Sequence, residues 1–189
     1  LPIDDFFKFD QKALVSATPI ELNDPRFKEQ NFQTIEIQPT FDYKKEIWLH
    51  HTNNTLQAFK NVLSKLNNEE AAPLPICVFI NSTDIIYSLM KQLDLLEESA
   101  VFCAPKSVDK LKKNRFCNVY EQWNKDKMKR YNFFTSRFFN AVDMELEEQP
   151  HVIMLTDVYF AEHTMIDPYT HAIQIVGRFR NGVSSITYI

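Results

Sequence analysis

The sequence of 189 residues predicts an α/β fold, a parallel β-sheet with helices on both faces. Three observations carry this expectation. Residues 75–80 (PICVFI) and 99–104 (SAVFCA) are apolar without alternation, the pattern of a strand buried on both faces. Such runs alternate with helix-like stretches, which favours parallel pairing. The apolar fraction, 44%, is enough to fill the core of one domain of ordinary size.

The elements follow in order. Residues 12–18 (KALVSAT) are a short apolar run ending in small hydroxyl residues before Pro19. The residue before a proline avoids the helical region, so the run reads as a strand leaving into a loop. Residues 21–31 are polar and turn-rich; residues 32–39 (FQTIEIQP) are strand-like at Phe32, Thr34, Ile35 and Ile37. Residues 40–45 read as a connector and 46–51 (EIWLHH) as a further strand. Residues 54–68 place Leu56, Phe59, Val62, Leu63 and Leu66 at helical spacing, with Asn or Thr available as cap. After the 75–80 strand, Ser82 or Thr83 can cap a helix that carries Ile86, Leu89, Met90 and Leu93 on one face. After the 99–104 strand comes a basic helix-like stretch, 107–116. Residues 131–136 (YNFFTS) and 151–155 (HVIML) read as strands, 169–181 (YTHAIQIVGRFRN) as a helix closed by Gly182, and 184–189 (SSITYI) as a last strand.

Composition excludes several classes. No apolar run approaches the ~20 residues of a membrane span, and no secretory pattern is present, so no membrane partner is expected. The three cysteines have no metal-knuckle spacing. Cys77 and Cys103 sit in apolar runs and read as small buried residues, which fits a reducing, cytoplasmic setting. No histidine spacing suits a metal, and no metal site is expected. The opening residues lack a Met and look like the middle of a fold, so a longer parent protein is expected. Net charge is −4, yet residues 104–140 carry +7, leaving −11 elsewhere. Such asymmetry marks either a polyanion-facing surface or a solvated lysine-rich face.

Ligands of parallel sheets bind outside the carboxyl ends of the strands. The predicted strand-to-helix loops there are 16–18, 81–82, 104–107 and 135–136, rich in hydroxyl and amide groups. Taken in order, SAT at 16–18, FINS at 79–82, TSRFFNAVD at 135–143 and QIVGRFR at 174–180 resemble the end of motif III and motifs IV, V and VI of superfamily 2 helicases and translocases. The resemblance spans most of the chain. It implies a tail of a first RecA-like domain and its linker over residues 1–40, and a second RecA-like domain over 41–189. It implies ATP and Mg²⁺ bound mainly on the first domain of the same protein, and nucleic acid, DNA foremost, as the track.

In this family the second domain presents motif VI arginines to the γ-phosphate. A guanidinium stays charged and its planar fork matches phosphate oxygens. By resemblance Arg178 is the arginine finger, Gln174 lines the cleft one helical turn before it, and Gly177 lets a neighbouring backbone approach. Asp143 couples the ATP cleft to nucleic acid; Ser16 and Thr18 link the first domain's catalytic loop to motion. Thr135, Ser136, Asn81, Ser82, Lys106 and Ser107 would touch the phosphate backbone. Ser82 also reads as a plain N-cap and Asp143 as a turn cap. Lys106 is the more informative, since a helix start gains nothing from a lysine.

The chain departs from the family pattern twice. The family's second arginine follows the first by three residues, a position held here by Asn181, with Arg180 one residue early. On a helix two residues differ by about 200° in direction and three by about 300°, so Arg180 joins Arg178 only if the helix is already unwinding. Arg180 otherwise reads as a salt-bridging cation at a helix end. The second departure is Ala141, where motif V has a glycine. Phe133, Phe134, Phe138 and Phe139 read as core before they read as base-stacking rings. No GxxxxGK(S/T) sequence is present, and Asp4-Asp5 follows no apolar strand, so the chain alone is expected not to hydrolyse ATP. Two other classes remain: a non-catalytic RecA-like module binding nucleic acid or protein, and an unrelated doubly wound enzyme, in which Arg178, Gln174 and Asp143 would fail to share the carboxyl edge of one sheet.

Overall fold

The computed structural model describes residues 2–16, 18, 20–38, 40, 44–68, 73–140, 142–158 and 161–189. The chain divides into two compact units, Leu1–Lys44 and Lys45–Ile189.

The second unit is built on a parallel sheet of seven strands: β1 (Trp48–Leu49), β2 (Ile76–Phe79), β3 (Ser99–Phe102), β4 (Val119–Tyr120), β5 (Tyr131–Phe134), β6 (His151–Met154) and β7 (Ser185–Tyr188). Their order across the sheet is β1-β7-β6-β2-β5-β3-β4. Every pairing is parallel, so all strands leave the sheet at one edge. This is an α/β fold of the RecA-like kind; the apolar runs predict the parallel sheet, and the resemblance implies its RecA-like kind. The central strands β2, β3, β5 and β6 are buried at every position.

Alternation along each strand sorts side chains between two cores. Val78, Val101, Phe133 and Ile153 face the helices α3 (Thr55–Asn67), α4 (Thr83–Gln92) and α5 (Pro105–Lys113), which contribute Phe59, Leu63, Ile86, Met90 and Leu111. Cys77, Phe79, Phe102, Phe134 and Met154 face the other way, under α6 (His171–Gly177) and Phe138, Phe139, Val142, Met144 and Leu146. Both faces are thus covered. Each helix begins where chemistry allows. Asn54 Oδ1 accepts from the Gln57 N–H at 3.0 Å to cap α3, and Ser82 Oγ accepts from the Ile85 N–H at 3.4 Å to cap α4. Pro105 opens α5, where its missing N–H costs nothing.

The first unit holds two single-turn helices, α1 (Ile3–Phe6) and α2 (Arg26–Glu29), around a cluster of Phe6, Phe7, Phe27 and Phe32. Arg26 ion-pairs with Asp4 at 2.8 Å and with Asp24 at 2.7 Å, and Lys8 pairs with Asp5. These guanidinium hydrogen bonds hold the Asp24 carboxyl down at about 2.

Four expectations need correction. Residues 12–16 and 32–38 form no strand; Val15, Ile35 and Ile37 stand exposed. Strand propensity needs a partner ladder to be realised, and among the described residues none pairs with them. Consequently the loop at Ser16 and Thr18 does not follow a strand. The short helix α2 lies inside the stretch read as turn-rich. Strand β4 was not anticipated, because two residues carry no periodicity. Finally, α6 ends at Gly177 and not at Asn181.

Candidate functional site

The end of α6 sets the geometry. From Arg178 the chain leaves the helix and Phe179 pairs with Met144 as a parallel bridge. The Met144 N–H donates to Arg178 O at 2.7 Å, and the Arg180 N–H donates to Met144 O at 3.2 Å. Phe179 is buried in the core face. Arg178, the C-cap, keeps helical backbone angles (φ −71°, ψ −26°), and with Phe179 turned into the core both flanking arginines reach outward. The condition set by the irregular arginine spacing is met.

Both arginines reach one carboxylate. Arg180 Nη2 donates to Asp143 Oδ2 at 2.7 Å and Arg178 Nη1 approaches Asp143 Oδ1 at 3.4 Å. The Arg178 guanidinium is further held by its Nε donating to Gln174 O at 3.1 Å and by Nη1 against Asn140 O at 3.5 Å. Its side chain is 21% exposed, against 51% for Arg180. The hydrogen bond from Arg180, then the charges of both arginines, keep the Asp143 carboxyl below its ordinary value. The group therefore carries two guanidiniums and one carboxylate, a net positive fork with one arginine half-sheltered and one more exposed. An oxyanion larger than a carboxylate could take Asp143's place.

Gln174, Arg178 and Asp143 are brought together by the Arg178 guanidinium, which meets Gln174 O and Asp143 Oδ1; Phe179 beside it packs on Phe79 at the end of β2. Gly177 has open space around it: a Cβ built there meets nothing within 4 Å. Gly182 adopts φ +85° and closes a turn, its N–H donating to Phe179 O at 3.0 Å. Gly182 thus serves a turn five residues past the helix end. Ala141 lies outside the described residues.

The carboxyl edge gathers the remaining second-unit residues. Asn81 is a tie between three loops: its Nδ2 donates to His163 O at 3.2 Å and its Oδ1 accepts from the Ser136 N–H at 3.4 Å. Ser82 is the α4 cap. Thr135 is buried at the end of β5, its N–H donating to Phe102 O at 3.1 Å. Ser107 is half-buried in the first turn of α5. Lys106 beside it is exposed and makes no ion pair or hydrogen bond among the described residues. Arg137, next to Ser136, is likewise exposed and unpaired. Sequence reasoning passed over Arg137, although it belongs to the basic stretch and to the TSR tripeptide. Because β3 and β5 are neighbours, Lys106 and Arg137 stand on adjacent loops of one edge. In the first unit, Ser16 Oγ and Thr18 Oγ1 share a hydrogen bond at 3.2 Å, and Ser16 Oγ accepts from the Thr18 N–H at 3.1 Å; they form a local hydroxyl turn.

No protein-family model matches the chain, and no curated protein matches it.

Phe133, Phe134, Phe138 and Phe139 are all buried, so they are core and not stacking platforms. Cys77 and Cys103 are buried and Cys117 is exposed, all three as free thiols; burial pushes the Cys103 thiol up to about 11. Among the described residues no group of three His, Cys, Asp or Glu could hold a metal, and no helix is long and apolar enough to cross a membrane.

Proposed function

We propose that this chain carries the second RecA-like domain of a superfamily 2 helicase or translocase, cytoplasmic, with nucleic acid as its track. The observation that carries this reading is the fork of Arg178 and Arg180 on Asp143. Two guanidiniums held on one outward side, one of them braced by Gln174 O, suit a phosphate presented by another domain. ATP and Mg²⁺ belong on a first RecA-like domain of the same protein, where bound Mg²⁺ would neutralise charge on the β- and γ-phosphates. This chain's share is to place Arg178 against the γ-phosphate, with Asp143 yielding its hold. Lys106, Arg137 and the Ser136 loop at the carboxyl edge suit contacts to a phosphate backbone.

Replacing Arg178 by Ala in the whole protein tests this. An arginine finger is worth about 10³- to 10⁵-fold in turnover, so kcat for ATP should fall by at least about 10³-fold while ATP affinity changes little. Unchanged turnover refutes the finger role. A second reading, a non-catalytic module for nucleic acid or protein, draws on Asp143 already engaging both arginines within the chain. It expects nucleic-acid binding without any ATP turnover in the whole protein.

A further inference from the structure

Four strands of one half of the sheet end in aromatic residues that are partners in register: Phe79 with Phe134, Phe134 with Phe102, and Phe102 with Tyr120. Their rings form a ladder across the sheet. Phe79 and Phe134 stack at 5.0 Å and 19°, Phe134 and Phe102 at 4.9 Å and 9°, and Phe102 meets Tyr120 at 5.7 Å and 36°. The first three are fully buried. Tyr120 is half-buried on the edge strand β4, and among the described residues no further ring packs on it.

The ladder therefore stops at an opening. Along the free edge of β4, between α5 and residues 121–127, lies a groove of about 470 Å³ whose walls include Tyr120, Trp123, Lys112 and Lys127. Lys127 Nζ stands 5.8 Å over the Tyr120 ring. Lys112 is exposed and unpaired among the described residues. The Trp123 indole N–H is shielded from solvent without a hydrogen-bond acceptor among them, an arrangement that costs stability until an acceptor arrives. Glu121 is the one carboxylate in the wall.

We propose that this edge groove holds one nucleotide of a single-stranded nucleic acid. Its base takes the Tyr120 face over which Lys127 now stands, beside Trp123, and the displaced Lys127 holds its phosphate together with Lys112. A flat aromatic wall takes any base through its π face, and flanking lysines take the backbone. The groove belongs to the +7 stretch of the chain, so the field there favours a polyanion. An acidic protein segment without aromatic residues would use the lysines but would leave the exposed end of the ladder without a ring. The inference rests on the nucleic-acid reading above and extends it beyond the carboxyl-edge loops to a separate grip at the end of the sheet.

The test titrates the 189-residue chain with a fluorescein-labelled oligothymidylate, in parallel with a labelled Glu/Tyr copolymer. A Trp48→Phe background leaves Trp123 as the sole tryptophan, since the chain has two. The oligonucleotide should quench Trp123. Tyr120→Leu and Trp123→Leu should each weaken it by about 5- to 150-fold, the worth of one stacked base. K112Q/K127Q, which leaves the core untouched, should reduce the log–log salt slope by about 1.4. Parent affinity and slope in these variants, with binding lost in K106Q/R137Q, would overturn the groove and leave the nucleic-acid reading standing. Quenching by the copolymer but not by the oligonucleotide overturns it in favour of an acidic protein partner. Absence of oligonucleotide binding in the parent chain overturns both.

Discussion

The two glycines should respond differently to alanine. At Gly182 the backbone has φ +85°, a region where a Cβ meets the following carbonyl at a cost of about 1–2 kcal/mol. The added Cβ would also stand 3.2 Å from Gln149 Nε2. That amide donates to Asn181 O at 2.8 Å and pins the loop ahead of β7; disturbing it removes a hydrogen bond worth about 0.5–1.5 kcal/mol. Gly182→Ala should therefore destabilise by between about 1 and 3 kcal/mol, lowering Tm by about 2–10 °C in a domain of this size. At Gly177 nothing lies within 4 Å of the added Cβ and the residue ends a helix, where Ala is favoured over Gly by up to about 1 kcal/mol. Gly177→Ala should be neutral or mildly stabilising. Urea unfolding followed by circular dichroism, with equal m-values for parent and variants, reads both. A Gly182→Ala midpoint at the parent's, or a loss beyond about 1 kcal/mol at Gly177, would refute the reasoning. If Gly177 clears a path for a neighbouring domain, Gly177→Ala in the whole protein should lose ATP turnover while keeping its stability.

Other outcomes follow from the same geometry. Phe134→Leu removes both stacked contacts at the centre of the aromatic ladder, each worth about 0.5–1.5 kcal/mol, and should cost about 1–3 kcal/mol in urea unfolding. Ser82→Ala removes the α4 cap and should cost about 1 kcal/mol; a carboxyl-edge phosphate role would add weaker oligonucleotide binding, read by anisotropy. Asp143 has its carboxyl held below the ordinary value of 3.8 by Arg180 and Arg178. A depressed folded pKa means stability present above 3.8 and lost as pH falls through the lower folded value. The stability difference between the parent and Asp143→Asn should thus be constant at neutral pH and shrink in strong acid. A difference that instead shrinks between pH 6 and 8, the range in which histidines titrate, would point to one of them.

Much of the fold was legible because the central strands are apolar at every position, and burial on both faces writes that pattern directly. The caps Asn54 and Ser82 were legible for the same local reason: their side chains replace backbone partners within three residues. What failed was non-local. Residues 32–38 carry a strand's residues without a strand's neighbour, and propensity cannot supply one. Strand β4 is two residues long and exists because β3 offers it an edge. The aromatic ladder needs the register of four strands that are far apart in sequence, and no window contains it. Arg137 looked like one more cation; its isolation from any carboxylate is a property of the folded edge.

The arginine spacing shows how a departure in sequence can be absorbed by structure. A helix continued to Asn181 would turn Arg180 about 200° from Arg178, toward the core or a different side. The chain ends its helix early, at Gly177, and buries Phe179 between the arginines. The bridge to Met144 then holds the turn at residues 178–180 through Arg178 O and the Arg180 N–H. In that turn two arginines two residues apart reach the same carboxylate. The device depends on Phe179: replacing it with a polar residue should release the bridge, let residues 178–180 adopt other conformations, and uncouple Arg180 from Asp143. Phe179→Ser should then cost stability on the scale of a buried Phe truncation, about 3–5 kcal/mol. Where the fold survives, the acid-range stability difference attributed to Asp143 should shrink with it. A variant that unfolds more easily but keeps that difference intact would show that the two arginines find Asp143 without the bridge.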